Sequence, residues 1–472
     1  MKRYEALAAD MEASIRNGTL RTGDRLPSVR HTGESRGVSA STVFKAYYLL
    51  EARGLIRARD RSGYYVARGG KREALPEAEA TSRPVERAVP LDVSDHVFEI
   101  LEASMTRKVV PFGSAFPSPV HFPLERLGQF MARSAKSLDP WSTVDDLTPG
   151  SAALRRQISL RYLADGFQVH TDEIVITNGA LEALNLCLAA VTRPGDSVIV
   201  ESPTFYAALQ ALERLGLKAI EVPTHAREGI DLDALERAIV RRKPAACWLM
   251  TTFQNPLGSS MPQDKKQSLV QLLAQHGIPL IEDDVYAELY FGDKRPLPAK
   301  AFDAQGLVMH CSSFSKSLAP GYRVGWVAAG QFARKVAHQK LTTTLSTSAP
   351  TQAALAGYLE SGGFDRHLRK LRHALATQQT TFMQALGHHF PAGTRATRPL
   401  GGYFLWVELP RQVDALEVHR RALALGISVA PGPIFSATRG FTNCLRLNYG
   451  HVWDARSEKA MASLGRLIAE LA

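Results

Sequence analysis

Between residues 173 and 328 one pattern recurs: an apolar run of five or six residues, a longer helix-favouring stretch, then another apolar run. Seven runs read as strands: Glu173–Thr177, Ser197–Glu201, Lys218–Val222, Ala246–Thr251, Pro279–Asp283, Leu307–Cys311 and Val324–Ala328. Helical segments such as Ala180–Val191 and Pro262–His276 separate most of them. Strands that are apolar on both faces and alternate with helices require a mostly parallel sheet covered on both sides. The last ~120 residues mix helices with strands near Gly402–Glu408 and Cys444–Asn448, which predicts a smaller α+β subdomain.

The first 68 residues follow a different plan. Tyr4, Leu7, Ala8, Met11 and Ile15 recur at helical spacing, and Asn17-Gly18 ends that helix. LPSVRHTGESRG reads as a second helix closing at Gly37. Ser39 is an N-cap for a third, with Val43, Ala46, Tyr47 and Leu50 inward. LIRARDRSGYYVA reads as two short strands around a turn at Arg61-Ser62-Gly63. Residues 69–90, with little apolar content and no sustained period, read as a linker to a second domain over 91–472. Within that domain the large subdomain is expected over about 110–350 and the small one over about 351–472.

Charge separates the two parts. Residues 1–72 hold 15 Lys+Arg against 7 Asp+Glu, a net +8 out of the chain's +11. A basic module ahead of a near-neutral body points to a polyanion partner for that module. Helix, helix, turn, helix and a two-stranded wing suit major-groove binding by the third helix, although a helical protein-binding module has the same outline. The four cysteines are scattered without a CxxC pair, so neither a zinc site nor a disulfide framework is suggested. The N-terminus carries charges throughout and lacks a signal-type apolar core, and no run of ~18 apolar residues occurs. These features predict a soluble, reducing, cytoplasmic setting with no membrane partner.

The segment SSFSKSLAPGYRVGW, Ser312–Trp326, places Lys316 among small hydroxyl residues with Arg323 seven positions on. A lysine that condenses with an aldehyde needs little crowding and a nearby anion site, and pyridoxal phosphate supplies both aldehyde and phosphate. Asp283, in LIEDDVY, falls at a predicted strand end 33 residues earlier, where a carboxylate can keep a pyridine nitrogen protonated. Tyr286 and Asn255 (in FQNPLG) offer donors to the ring oxygen. TNGALEAL runs strand, glycine, helix, which frees the N–H groups of Ala180 and Leu181 as a phosphate cradle that Ser313 and Arg323 complete. Phe205, in ESPTFY, can stack on the pyridine, and Arg446, in CLRLNYG, can hold a carboxylate in a two-bonded fork. Each piece alone is weak, and the ordered set carries the inference.

Two resemblances follow. GDRLPSVRHTGESRGVSASTVFKAYYLLEARGLIRARDRSGYYV resembles the GntR-type winged helix-turn-helix DNA-binding domain, with its blocks in order and spacing. The resemblance implies DNA contacts from Arg30, Ser41 and Thr42, a recognition-helix cap at Ser39 and a phosphate contact from Lys45. It also implies a wing carrying Arg57, Arg59 and Arg61 with Gly63 at its tip. Many members have arginine where this chain has Ala40, so readout there is apolar or absent. TNGALEA, ESPTFY, FQNPLG, IEDDVY, SSFSKSLAPGYRVGW, GGYFLW and CLRLN together resemble the α/β fold-type I aminotransferases over about residues 110–470. That resemblance makes Lys316 the Schiff-base lysine and gives the residues above their cofactor roles, with Arg446 on the substrate α-carboxylate. It also departs from the family: the STVDDLTP stretch just before Gly150 contains no tyrosine, and Asp145 aligns at its place, which weakens a claim of efficient transamination.

Joined, the two parts resemble the MocR-type regulators. The resemblance implies a homodimer on a double-stranded DNA operator, with pyridoxal 5'-phosphate bound and an amino acid or other amine as effector. The alternative is a working aminotransferase of amino acids with a secondary DNA-binding domain.

Overall fold

In the computed structural model, the described residues are 3–52, 54–59, 63–67, 75–78, 80–85, 87–103, 109–145 and 147–472. They divide into two compact units, Met1–Leu75 with Thr380–Phe390, and Pro76–Gln379 with Pro391–Ala472.

In the first unit, α1 (Arg3–Arg16), α2 (Val29–Arg36) and α3 (Ala40–Ala52) precede strands β1 (Ile56–Arg59) and β2 (Gly63–Val66). The strands pair antiparallel from Ile56↔Val66 to Arg59↔Gly63. Ser28 caps α2 by accepting from the His31 N–H at 3.2 Å, and Gly37 ends it at φ 60°, where a side chain would be strained. Leu7, Met11, Val43, Tyr47, Leu50 and Ile56 bury together as a core. The Tyr47 hydroxyl ties it down, donating to Pro27 O at 2.7 Å beside Thr32 Oγ1, also at 2.7 Å.

In the second unit the main sheet has the order β3-β6-β5-β8-β9-β10-β11-β4. Its strands are β3 (Ala88–Pro90), β4 (Ile174–Thr177), β5 (Ser197–Ser202), β6 (Lys218–His225), β8 (Ala246–Leu249), β9 (Leu280–Asp283), β10 (Val308–Ser313) and β11 (Gly325–Ala328). The two-residue β7 (Gly229–Ile230) pairs only with β6. The pairs β6–β5–β8–β9–β10 are parallel, and β11 runs antiparallel to both β10 and β4. Side chains alternate between the faces: Val198, Val200 and Trp248 join one core, and Ile199, Cys247 and Leu249 the other. Double coverage is why these strands read as unbroken apolar runs. A smaller antiparallel sheet, β12 (Arg395–Ala396), β13 (Phe404–Glu408), β15 (Cys444–Asn448) and β14 (Ala430–Pro431), lies later in the chain.

Three boundaries differ from the sequence expectation. The span 69–90 is not free chain throughout: Ala88–Pro90 adds an antiparallel edge strand at Ala88↔Ile220, and Ser82 N–H donates to Thr224 O at 3.2 Å. Three residues are too few to show a period, so composition alone hid this strand. Residues 110–112 lie with the small sheet rather than the large subdomain, because Val110 bridges Ile427 and Phe112 O accepts from the Asn448 N–H at 2.7 Å. The helix Ala349–Glu360 belongs with the large subdomain instead, burying Leu355, Tyr358 and Leu359 against Leu127, Leu154 and Ile158.

Candidate functional sites

The helix α3 begins where Ser39 caps it, its Oγ accepting from the Thr42 N–H at 3.3 Å and lying 2.9 Å from Thr42 Oγ1. Ser39, Ala40 and Lys45 are exposed and Thr42 is half-buried, on the side of α3 away from Val43, Ala46 and Tyr47. Ser41 takes its place in the backbone of α3. Arg30 is exposed and pairs with Glu34 at 3.0 Å. Arg57 and Arg59 are set by the backbone of β1, Gly63 opens β2 at φ 98°, and Arg61 lies outside the described residues. Phe44 is 54 % exposed on α3 between Val43 and Lys45, and the motif does not single it out.

In the second unit, chemistry gathers where the parallel strands end, the usual crevice of an open α/β sheet. Asp283 closes β9 and is buried. β10 closes at Ser313 and leads to the half-buried Lys316. β5 leads to Phe205, which stands before the helix Tyr206–Arg214, and β8 leads to the fully buried Asn255. β4 leads through Gly179, at φ 89°, into the helix Ala180–Val191, so the Ala180 and Leu181 N–H groups open its first turn. Glycine is required there: a Cβ on Gly179 would lie 2.5 Å from Arg323 Nη2, and one on Gly325 would lie 2.6 Å from Gly179 C. Arg323, itself at φ 51°, donates to Asn178 O at 3.0 Å and to Ser315 Oγ at 3.4 Å. Ser313 Oγ accepts from the Ser315 N–H at 3.4 Å. The result is a cradle of donors and a guanidinium, the arrangement an anion such as phosphate needs.

Lys316 Nζ donates to Ala115 O at 2.9 Å and sits 3.8 Å above the Phe116 ring. Burial pushes its pKa down to about 7, Arg446 and Arg323 push the same way, and Asp283 opposes them. Burial together with Asp284 pushes Asp283 up to about 7. Burial likewise raises Tyr286, whose hydroxyl meets that of Tyr403. Arg446 is not a surface charge: it is fully buried, donating to Asn255 Oδ1 at 3.2 Å and Gly113 O at 2.6 Å. Asp283 Oδ1, Asn255 Nδ2 and Arg446 Nε are buried without a partner. Three such atoms at one crevice fit a polar ligand, since an unmet buried polar atom costs about 1–3 kcal/mol. An acceptor for a pyridinium, a donor for a ring oxygen and a guanidinium for a carboxylate are the donor set that pyridoxal phosphate and an amino acid need. Sequence reasoning assigned no role to Tyr403, Asn448 or the 113–116 loop, which all touch this crevice. For Asn448 the signal was present, two residues from Arg446 on one strand face. Asp145 ends the short helix Ser142–Asp145.

Comparison with known proteins gives the family of each part. Residues 147–464 match the family described as aminotransferase class I and II, and residues 3–66 match the gntR family of bacterial regulatory proteins. The chain is 50 % identical over 470 residues, 100 % of both chains, to an Escherichia coli protein named uncharacterized HTH-type transcriptional regulator YdcR. It is 31 % identical over 395 residues, covering 82 % of this chain and 94 % of the relative, to aromatic-amino-acid aminotransferase 1 of Thermococcus litoralis. Among solved structures it resembles LysN, an alpha-aminoadipate aminotransferase of Thermus thermophilus complexed with N-(5'-phosphopyridoxyl)-L-leucine. The TM-score is 0.72 at 30 % identity, with 81 % of this chain and 99 % of that one covered.

Proposed function

Because the chain belongs to the aminotransferase class I and II family and carries a gntR-family domain ahead of it, we propose that it is a transcriptional regulator that senses an amino compound. It binds an operator through the first unit and holds pyridoxal phosphate in the second. The observation that carries this reading is the crevice of three unpartnered buried polar atoms around Lys316.

When bound, pyridoxal phosphate supplies an aldehyde that condenses with primary amines and a ring that withdraws electrons. The residues act around it. Asp283 would orient the pyridine and keep a proton on its nitrogen. Asn255 and Tyr286 would donate to the ring oxygen, with Phe205 for its face. The Ala180 and Leu181 N–H groups, Ser313 and Arg323 would hold the phosphate. Lys316, with its pKa near 7, presents a substantial fraction of free amine at neutral pH. Arg446 takes the α-carboxylate of an amino acid.

A homodimer suits both units. The phosphate end is open, with Leu181 46 % and Leu341 and Leu345 each 48 % exposed. An apolar rim of that kind is what a second copy covers. In the first unit, Arg30, Thr42 and Lys45 would meet phosphates and bases. An effector changes operator affinity only by its differential affinity for two arrangements of the dimer, typically ~1–3 kcal/mol. The test measures operator binding by the holo chain while amino acids are titrated in. Lys316→Ala should keep operator binding and lose both the cofactor absorption and the response. A wild-type response that survives in Lys316→Ala would refute the reading.

Transamination is a second reading, favoured by the complete cofactor set and by relatives named as aminotransferases. Turnover with a panel of amino donors distinguishes it: rapid ketoacid production would make catalysis the main role.

A further inference from the structure

The crevice already contains an occupant made from the chain itself. Residues 113–116 cross it so that consecutive carbonyl oxygens face its cations and donors. Arg446 Nη2 donates to Gly113 O at 2.6 Å and to Ser114 O at 3.3 Å. Lys316 Nζ and the Tyr403 hydroxyl both donate to Ala115 O, at 2.9 and 3.1 Å. Asn448 Nδ2 clamps the segment, donating to Ser114 O at 2.9 Å and Phe116 O at 2.8 Å. The path is tight: a Cβ on Gly113 would meet Val429 C at 2.7 Å. The Phe116 ring covers the Lys316 amine and is itself 41 % exposed.

Resting on the reading of Lys316 and Arg446 as the effector site, the geometry points to Gly113–Phe116 as a specificity-determining strap: its carbonyls stand in for an effector's carboxylate, so that only carboxylate-bearing amino compounds displace it. Three features carry this. The carbonyls bring partial negative charge to the place where Arg446 would hold a carboxylate. They satisfy that arginine incompletely, because its Nε is buried and unpartnered. A carboxylate accepting from Nε and Nη2 together meets both needs in a two-bonded ion pair, where the neutral carbonyls reach Nη2 and leave Nε unmet. An amine without a carboxylate competes only for the place of Lys316 and leaves Gly113 and Ser114 on Arg446. The strap therefore sorts amino acids from simple amines, and its release is the movement that an amino acid produces and an amine does not.

The test compares L-leucine with 3-methylbutylamine, the same skeleton without the carboxylate, on the full-length holo chain. Each ligand is titrated until the cofactor absorption changes equally, and amide hydrogen exchange is then read in peptides covering 112–118. L-Leucine should speed exchange there about ten-fold, and the amine should leave it within about two-fold. Tyr403→Phe removes one strap anchor while keeping the ring. It should tighten L-leucine about five-fold relative to the amine, the worth of one hydrogen bond, and the ratio cancels any change that the variant passes to the cofactor through Tyr286. A ligand contact or a merely structural tyrosine would give the opposite sign. Strap exchange indifferent to L-leucine in wild type, or weaker L-leucine binding relative to the amine in Tyr403→Phe, overturns the strap. Cofactor absorption that responds to neither ligand overturns the reading of Lys316 as the effector site, and the strap with it.

Discussion

Replacing Asp283 with asparagine should stabilise the cofactor-free protein at alkaline pH. Asp283 is buried, and its pKa is raised from 3.8 to about 7, chiefly by burial and then by Asp284. The stability that its neutral form contributes is fully present below 3.8 and is lost as the pH rises through about 7. The difference is three units, and at ~1.4 kcal/mol per unit the ceiling is about 4 kcal/mol. Relaxation of the crevice brings the expected gain to about 2–4 kcal/mol at pH 8. Asparagine keeps the shape and an acceptor oxygen and carries no charge. Lys316 contributes the opposite slope: its pKa is lowered from 10.5 to about 7, so stability climbs between pH 7 and 10.5. Wild-type apoprotein should therefore have a stability minimum near neutrality, and Asp283→Asn should remove its acidic limb. The assay is urea denaturation of cofactor-stripped protein from pH 4 to 9, followed by tryptophan fluorescence. Adding pyridoxal phosphate should reverse the ranking, because the ligand stabilises the form that binds it and asparagine cannot hold the pyridinium proton. Asp283→Asn apoprotein no more stable than wild type at pH 8 would refute the claim that this carboxylate is held at a cost in readiness for a cation.

Other outcomes follow from single contacts. Gly325→Ala puts a methyl 2.6 Å from Gly179 C and 2.8 Å from Ala180 N, so it should cost about 1–3 kcal/mol in stability and weaken pyridoxal phosphate in equilibrium dialysis. Tyr47→Phe leaves Pro27 O and Thr32 Oγ1 without their shared hydroxyl, and thermal denaturation of the first unit should show a loss of about 1–3 kcal/mol. Lys45→Ala should weaken every DNA sequence about equally and lower the salt slope of binding by about 1, whereas Thr42→Ala should weaken the operator more than random DNA; fluorescence anisotropy across a salt series separates the two.

How legible all this was depends on whether the information lies in side chains. Seven strand runs between 173 and 328 match β4 to β11, with β7 too short to register, because a sheet covered on both faces has no polar alternation to blur the signal. The helix Ala180–Val191 matches to the residue, since Gly179 marks its start in the chain itself. Lys316, Asp283, Asn255, Tyr286 and Arg446 do converge on one crevice, and their residue types carried that expectation. What escaped was written in the backbone. The left-handed turn at Arg323 belongs to a residue that ordinarily avoids it. The edge strand Ala88–Pro90 gains its place from Lys218–Ile220 rather than from its own pattern. The strap acts through peptide carbonyls, which every residue has, so Gly113-Ser114-Ala115-Phe116 gives no sign that it competes for Arg446. The chemistry that a site can perform is thus encoded in side chains, while what restrains that chemistry until a ligand arrives is encoded in where the chain is made to pass. Reading the second from sequence requires knowing first which donors lie buried and unmet, and that is a property of the fold.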